Sequence, residues 1–174
     1  LQVKDKRERL FVQEDKNAEA LALTEPSYVM DPVVGSRSLI WVQRCKGNWI
    51  FRAVRLDAPE NVIDAPIPGE GRPRGLSIWN DDNRSYLVWE ERRGRETQIK
   101  GCRLSSAQFS EPFEITDGTI NGYNPAVCVC NNKLYVLFTA FLGGQYRIML
   151  RVFNTDGEPL QDARILSNQS AACG

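Results

Sequence analysis

The chain writes nearly the same stretch three times. LIWVQRCKGNWIFRAVRL from Leu39 to Leu56, SYLVWEERRGRETQIKGCRL from Ser85 to Leu104 and VLFTAFLGGQYRIMLRVF from Val136 to Phe153 align so that Trp41, Trp89 and Phe138 fall 48 and 49 residues apart, as do Phe51, Ile99 and Ile148. A repeat of this period fixes architecture before any local motif is read. Each copy extends in both directions. Before it stands an X-Pro leading into a short apolar run: Asp31-Pro32, Arg72-Pro73 and Asn124-Pro125. After it comes a fourth short segment ending near Ile67, Ile115 and Ile165, followed by turn residues such as Pro68-Gly69, Asp117-Gly118 and Ser167-Asn168.

One repeat therefore reads as four short strands punctuated by Gly, Asn, Asp and Pro, with no helical pattern between them. Four antiparallel strands at a period of roughly 40–50 residues mark a β-propeller blade. The expected fold is all-β, with blades at about residues 31–69, 72–117 and 124–167. Residues 1–24 read as a partial blade: Arg9 to Val12 and Ala20 to Leu23 resemble third and fourth strands parted by the turn-like Asp15-Lys16-Asn17, with a short amphipathic helix as the alternative.

Composition bounds the function. The chain has 174 residues, 42% hydrophobic and 25% charged, with a formal net charge of zero. It is long enough for a sizeable core, and its charge gives no general attraction to nucleic acid or anionic lipid. No apolar run nears the roughly 18 residues of a membrane-spanning helix, so no nucleic-acid partner and no membrane insertion are expected. The opening LQVKDKRER is charged, not signal-like, and the lack of a starting Met fits a mature or excised piece. Five cysteines and no histidine argue against a metal centre, and no cofactor is expected. Cys128 and Cys130, two apart in an apolar strand, suit packed and reduced small residues.

Candidate site residues gather where blades turn. The hairpin between second and third strands would have Arg44 to Asn48 as its first-blade tip, with Trp49 matching Thr97 and Tyr146 in the later copies. In the second copy Glu90, Glu91, Arg92, Arg93, Arg95 and Glu96 read as a solvated tip. Glu90 is the exception: it follows Trp89 directly, its equivalents are Val42 and Thr139, and a buried carboxylate must find a partner. With the polar link Asp117 to Asn124 opening on the same side, Arg44, Trp49, Arg72, Arg74, Glu90, Arg92, Asn121, Tyr123 and Tyr146 would share a rim suited to a glycan or protein ligand.

The strings YLVWEERRGRETQIKGCRL, NPAVCVCNNKLYVLFTAF and YRIMLRVFNTDG resemble the blades of sialidase-like and TolB-like bacterial β-propellers over about residues 31 to 170. The Asp-box of many sialidases, Ser-x-Asp-x-Gly-x-x-Trp, is absent: Asn154-Thr155-Asp156-Gly157 retains only its turn. The resemblance implies a secreted or cell-surface protein and leaves two functional classes. One is a non-catalytic module binding a glycan or protein at its rim. The other is a glycoside hydrolase, because five-bladed glycosidases are similar too and often place an acid beside a Pro at the first inner strand, as Asp31-Pro32 does. Hydrolysis needs two carboxylates roughly 5–10 Å apart, and Asp31 with Glu90 would be the pair, although Arg72 and Asn124 stand where the later copies would repeat Asp31. Three blades and a part leave sheet flanks open, so self-association, or the remainder of a longer chain, is expected to complete the ring, with residues Leu10 to Val12 at the seam.

Overall fold

A computed structural model of the chain describes residues 11–12, 21–22, 28–67, 71–81, 84–105 and 108–167. Leu10, Asp15 to Asn17, Pro68, Gly69 and Asn168, which carried expectations above, lie outside these residues, as do the side chains of Phe11 and Val12. All described regular structure is β. A short ladder pairs β1 (Phe11–Val12) with β2 (Leu21–Ala22) antiparallel, so the N-terminal segment uses strands where a helix was the alternative. No helix long and apolar enough to cross a membrane occurs among the described residues.

Three four-stranded antiparallel meanders follow, each in simple sequence order. The first comprises β3 (Val29–Val34), β4 (Ser38–Cys45), β5 (Asn48–Arg55) and β6 (Ala58–Pro66). The second comprises β7 (Arg72–Asn80), β8 (Ser85–Arg93), β9 (Glu96–Leu104) and the brief β10 (Phe113–Glu114). The third comprises β11 (Gly122–Cys130), β12 (Lys133–Leu142), β13 (Gln145–Asn154) and β14 (Pro159–Ile165). These are propeller blades. Trp41, Trp89 and Phe138 occupy one place in them, buried on the second strand and paired with Arg52, Lys100 and Met149 across the third.

Hairpin tips are tighter than the sequence suggested. β4 and β5 close through Lys46-Gly47 alone, both at positive φ (48° and 90°), the two-residue turn whose twist suits an antiparallel ribbon. β8 likewise runs through Glu91 and Arg92 to Arg93, so most of the charged cluster expected at a loop is strand, and Glu91 is fully buried.

The inner strand of every blade carries a β-bulge built on one left-handed residue. The register slips between Met30 and Val33, between Arg74 and Ser77, and between Tyr123 and Ala126. Asp31, Gly75 and Asn124 stand there with φ of 47°, 59° and 50°. Glycine, asparagine and aspartate tolerate that conformation best. The counterpart of Asp31 in the second blade is therefore Gly75 and not Arg72, which lies three residues earlier; the longer inner hairpin of that blade hid the match.

The described residues fall into two compact units, one ending at Ile67 and one beginning at Pro68. In the first, Leu39, Trp41 and Val54 pack with Val29 and Leu56. In the second, the two blades stack face to face: Tyr86, Val88, Ile99 and Ile115 of one meet Leu134, Val136, Phe138 and Met149 of the other. The Asn154 to Glu158 turn, held by Asn154 Oδ1 accepting from the Asp156 and Glu158 amides, serves this stack. Phe113 lies against the bare Gly157, the Tyr86 hydroxyl donates to the Thr155 carbonyl at 2.9 Å, and the Arg151 guanidinium donates to the Ile115 carbonyl at 2.7 Å.

Candidate functional site

Glu90 lies on the face of the second blade that the third covers, and both its oxygens are engaged. Oε2 accepts from Arg74 Nε at 3.0 Å, its partner across β7 and β8, and Oε1 accepts the backbone N–H of Asn124 at 2.7 Å. The bulge in β11 points that N–H away from the ladder, and the carboxylate satisfies it. Gly75 belongs to the same arrangement, since a Cβ there would stand 3.0 Å from Oε1. Glu90 breaks the repeat because it ties the second blade to the third. Asp31 stands in the first unit, partly buried at its own bulge, and Glu90 in the second.

The other rim candidates of the second unit converge on one end of it. The Asn121 side chain accepts from the Thr97 N–H at 2.7 Å, anchoring the link between blades against the tip of the β8–β9 hairpin. Arg72 and Arg92 oppose each other across β7 and β8, and Arg92 donates to the Gly94 carbonyl at 3.0 Å. Tyr123 packs edge-on to Tyr146 at 6.5 Å, and Tyr146 on Phe141 at 5.1 Å. Phe141, which sequence reasoning missed, pairs directly with Tyr146, as Arg92 does with Thr97 and Arg44 with Trp49. The Tyr146 side chain is 69% exposed. In the first unit, the Arg44 guanidinium lies 5.9 Å above the Trp49 ring.

A polar trio centred on the buried Glu91 was also missed. Glu91 receives Arg93 at 2.6 Å and Lys100 at 3.0 Å. At the same place in the first blade, Gln43 accepts from Trp41 Nε1 and Arg52, each at 3.1 Å. The third blade has Ala140 and Met149 there. A Trp followed two residues later by Gln or Glu, with a basic residue opposite the Trp, was the available signal.

Among the described residues no group of three or more Cys, Asp or Glu side chains is gathered as metal ligands would be. Cys128 and Cys130 are free and exposed, contrary to the packed role expected of them, because they project from the face of the third blade turned away from the second. Cys102 is the packed thiol, and burial raises its pKa strongly.

Stacked four-stranded meanders with bulged inner strands define a β-propeller of the kind found in neuraminidases and glycosidases. Three solved structures share the fold. A subtype N10 neuraminidase-like protein of A/little yellow-shouldered bat/Guatemala/060/2010 matches 83% of this chain and 46% of its own, at TM-score 0.52 and 11% identity. The Bombyx mori GH32 beta-fructofuranosidase BmSUC1 matches 85% and 40%, at 0.51 and 12%. Zg3597, a family 117 glycoside hydrolase from the marine bacterium Zobellia galactanivorans, matches 81% and 55%, at 0.51 and 10%. The chain thus spans about half the length of these proteins. No protein-family model matches the sequence, and no curated protein sequence matches it.

Proposed function

We propose that this chain is a non-catalytic β-propeller module that binds a glycan at the rim of its second unit. The observation that carries this reading is the exposed ring of Tyr146, braced by Tyr123 and Phe141 at the end where Asn121, Arg72 and Arg92 also stand. An aromatic ring fixed by its neighbours offers a sugar a flat apolar face at little entropic cost, and nearby amide and guanidinium groups supply hydrogen bonds to hydroxyls. The two arginines favour a glycan carrying carboxylate groups. The engagement of both Glu90 oxygens with Arg74 and the Asn124 amide supports binding over hydrolysis through Asp31 and Glu90, since a catalytic carboxylate must be available to the sugar.

A glycan array probed with the purified chain, followed by calorimetric titration of the best binders, tests the proposal. An acidic oligosaccharide is expected to bind and remain uncleaved, with affinity falling about tenfold in Tyr146→Ala, the loss of one stacking contact of roughly 1–1.5 kcal/mol. Binding that survives Tyr146→Ala unchanged, a chain that captures no glycan, or release of sugar from the bound oligosaccharide would each refute it.

A further inference from the structure

The cross-strand row nearest the hairpin tip is one position of the repeat, met three times. Register fixes its members on the second and third strands: Arg44 faces Trp49, Arg92 faces Thr97 and Phe141 faces Tyr146. On the inner strand the row is completed three residues before each left-handed bulge residue, by Tyr28, Arg72 and Asn121. Arg72 faces Arg92, and the Arg44 amide donates to the Tyr28 carbonyl at 3.0 Å. In the second unit the chemistry of this row is divided, with arginines in the second blade and aromatic rings in the third. The first unit has both in a single row, made of Tyr28, Arg44 and Trp49.

We infer that this row is a second site for a carboxylate-bearing sugar, carried by the first unit alone. The ligand class rests on the glycan reading of the second unit. Directly opposed residues on neighbouring strands share a face and stand about 5 Å apart, so Arg44 lies between a tyrosine and a tryptophan. Its guanidinium is held in place: it lies 5.9 Å from the centre of the Trp49 ring, and Nε donates to the Gly47 carbonyl at 3.4 Å. The two terminal nitrogens, free to pair with both oxygens of a carboxylate, have no acceptor among the described residues. Arg52 and Arg55, on the strand that carries Trp49, differ in this, since each holds an acid of its own, Asp64 and Asp57. Access is open at both ends of the pair that would meet the sugar: Arg44 is exposed, and Tyr28 beside it is 53% exposed. A sugar acid seated here places its carboxylate on Arg44 and the apolar face of its ring on Tyr28. The unopposed charge of Arg44 selects the acid over a neutral sugar.

Titration with sodium glucuronate, followed by NMR at the Trp49 indole N–H and at the Tyr146 ring, reads the two units separately. The Trp49 signal is expected to shift and saturate at about 1–10 mM, the range open to a ligand of this size, and to respond far less to glucose. Arg44→Gln should weaken the response at Trp49 at least about tenfold, the loss of one charge-assisted pair. Tyr28→Ala should weaken it several-fold, and Tyr146→Ala should leave it unchanged. Tyr28 and Arg44 are exposed, so both of their variants should keep the wild-type circular dichroism. A Trp49 signal that ignores glucuronate, that answers glucose equally, or that survives either first-unit substitution at full strength overturns the inference. So does an equal response to inorganic sulfate, which would make the row a site for any anion. A response at Trp49 with none at Tyr146 instead removes the binding site of the second unit and leaves that of the first in place.

Discussion

Gln43 and Glu91 occupy the same place in two successive blades, each two residues beyond the buried tryptophan of the second strand, yet one is a neutral amide and the other a carboxylate held between Arg93 and Lys100. The amide needs only donors, and the Trp41 indole and Arg52 supply them. The carboxylate needs charge, and the second blade supplies it from the adjoining strand and from its own strand end.

Glu91→Gln removes the counter-charge of Lys100, which is itself largely buried, and is expected to destabilise the protein by about 3 kcal/mol. Combining it with Lys100→Met, which reproduces the apolar chemistry of the third blade, should recover more than half of that loss. Urea unfolding of the two single variants and the double variant gives the coupling energy, and simple additivity would show that the two groups act independently.

Glu90→Ala leaves the Asn124 N–H and the Arg74 guanidinium without their acceptor and is expected to cost about 2–4 kcal/mol. Glu90→Gln keeps an acceptor for one of them and should cost about half as much. Amide hydrogen exchange adds a local reading: protection at Asn124 should collapse in the alanine variant and survive in part in the glutamine variant.

The bulge positions should respond to substitution according to backbone conformation. Gly75→Ala forces a Cβ into a left-handed residue and against Glu90, and a loss of about 1–2 kcal/mol is expected. Asn124→Gly retains the conformation and should change stability by less than about 1 kcal/mol. Denaturant midpoints of the two variants, taken with unchanged m-values, measure both.

Burial raises the phenol pKa of Tyr86, outweighing the opposing influence of Arg84 and Arg103. The unfolded chain releases this proton near pH 10, and the folded chain does so at higher pH. The folded state thus holds more protons between those two values, so the contribution of Tyr86 to stability is whole below about pH 10 and declines as pH rises through the folded pKa. Tyr86→Phe should lose about 1 kcal/mol at neutral pH with the bond to Thr155, and the gap between variant and wild type should narrow in alkali. Unfolding curves at pH 8 and pH 11 provide the comparison.

Most of the fold could be read from the sequence, because blade identity rests on strand spacing and on one aromatic per copy. Trp41, Trp89 and Phe138 mark the second strand, and their neighbours follow by counting. What could not be read was the backbone. Pro73 suggested that Arg72 matched Asp31, whereas the matching residue is a glycine with no proline after it, recognisable only from its left-handed φ. Charge density likewise misled at Glu91, since a run of six charged residues looks like a loop until register shows that a strand carries most of it. At the rim, Tyr123 packs edge-on to Tyr146, and Asn121 is tied to the Thr97 amide. Phe141 escaped notice because it reads as an ordinary strand residue, and only its pairing with Tyr146 gives it away.

The bulge on each inner strand also bears on how such a repeat can change over time. It asks one thing of its central residue, a left-handed backbone, and three side chains of different chemistry meet that demand: an acid at Asp31, none at Gly75, an amide at Asn124. In the genetic code aspartate is one base change from either of the others. A lineage carrying this repeat can therefore install or erase a carboxyl group at the head of any blade in a single mutational step while the backbone conformation is kept, so chemistry at these positions is free to drift between copies much faster than the architecture that presents it.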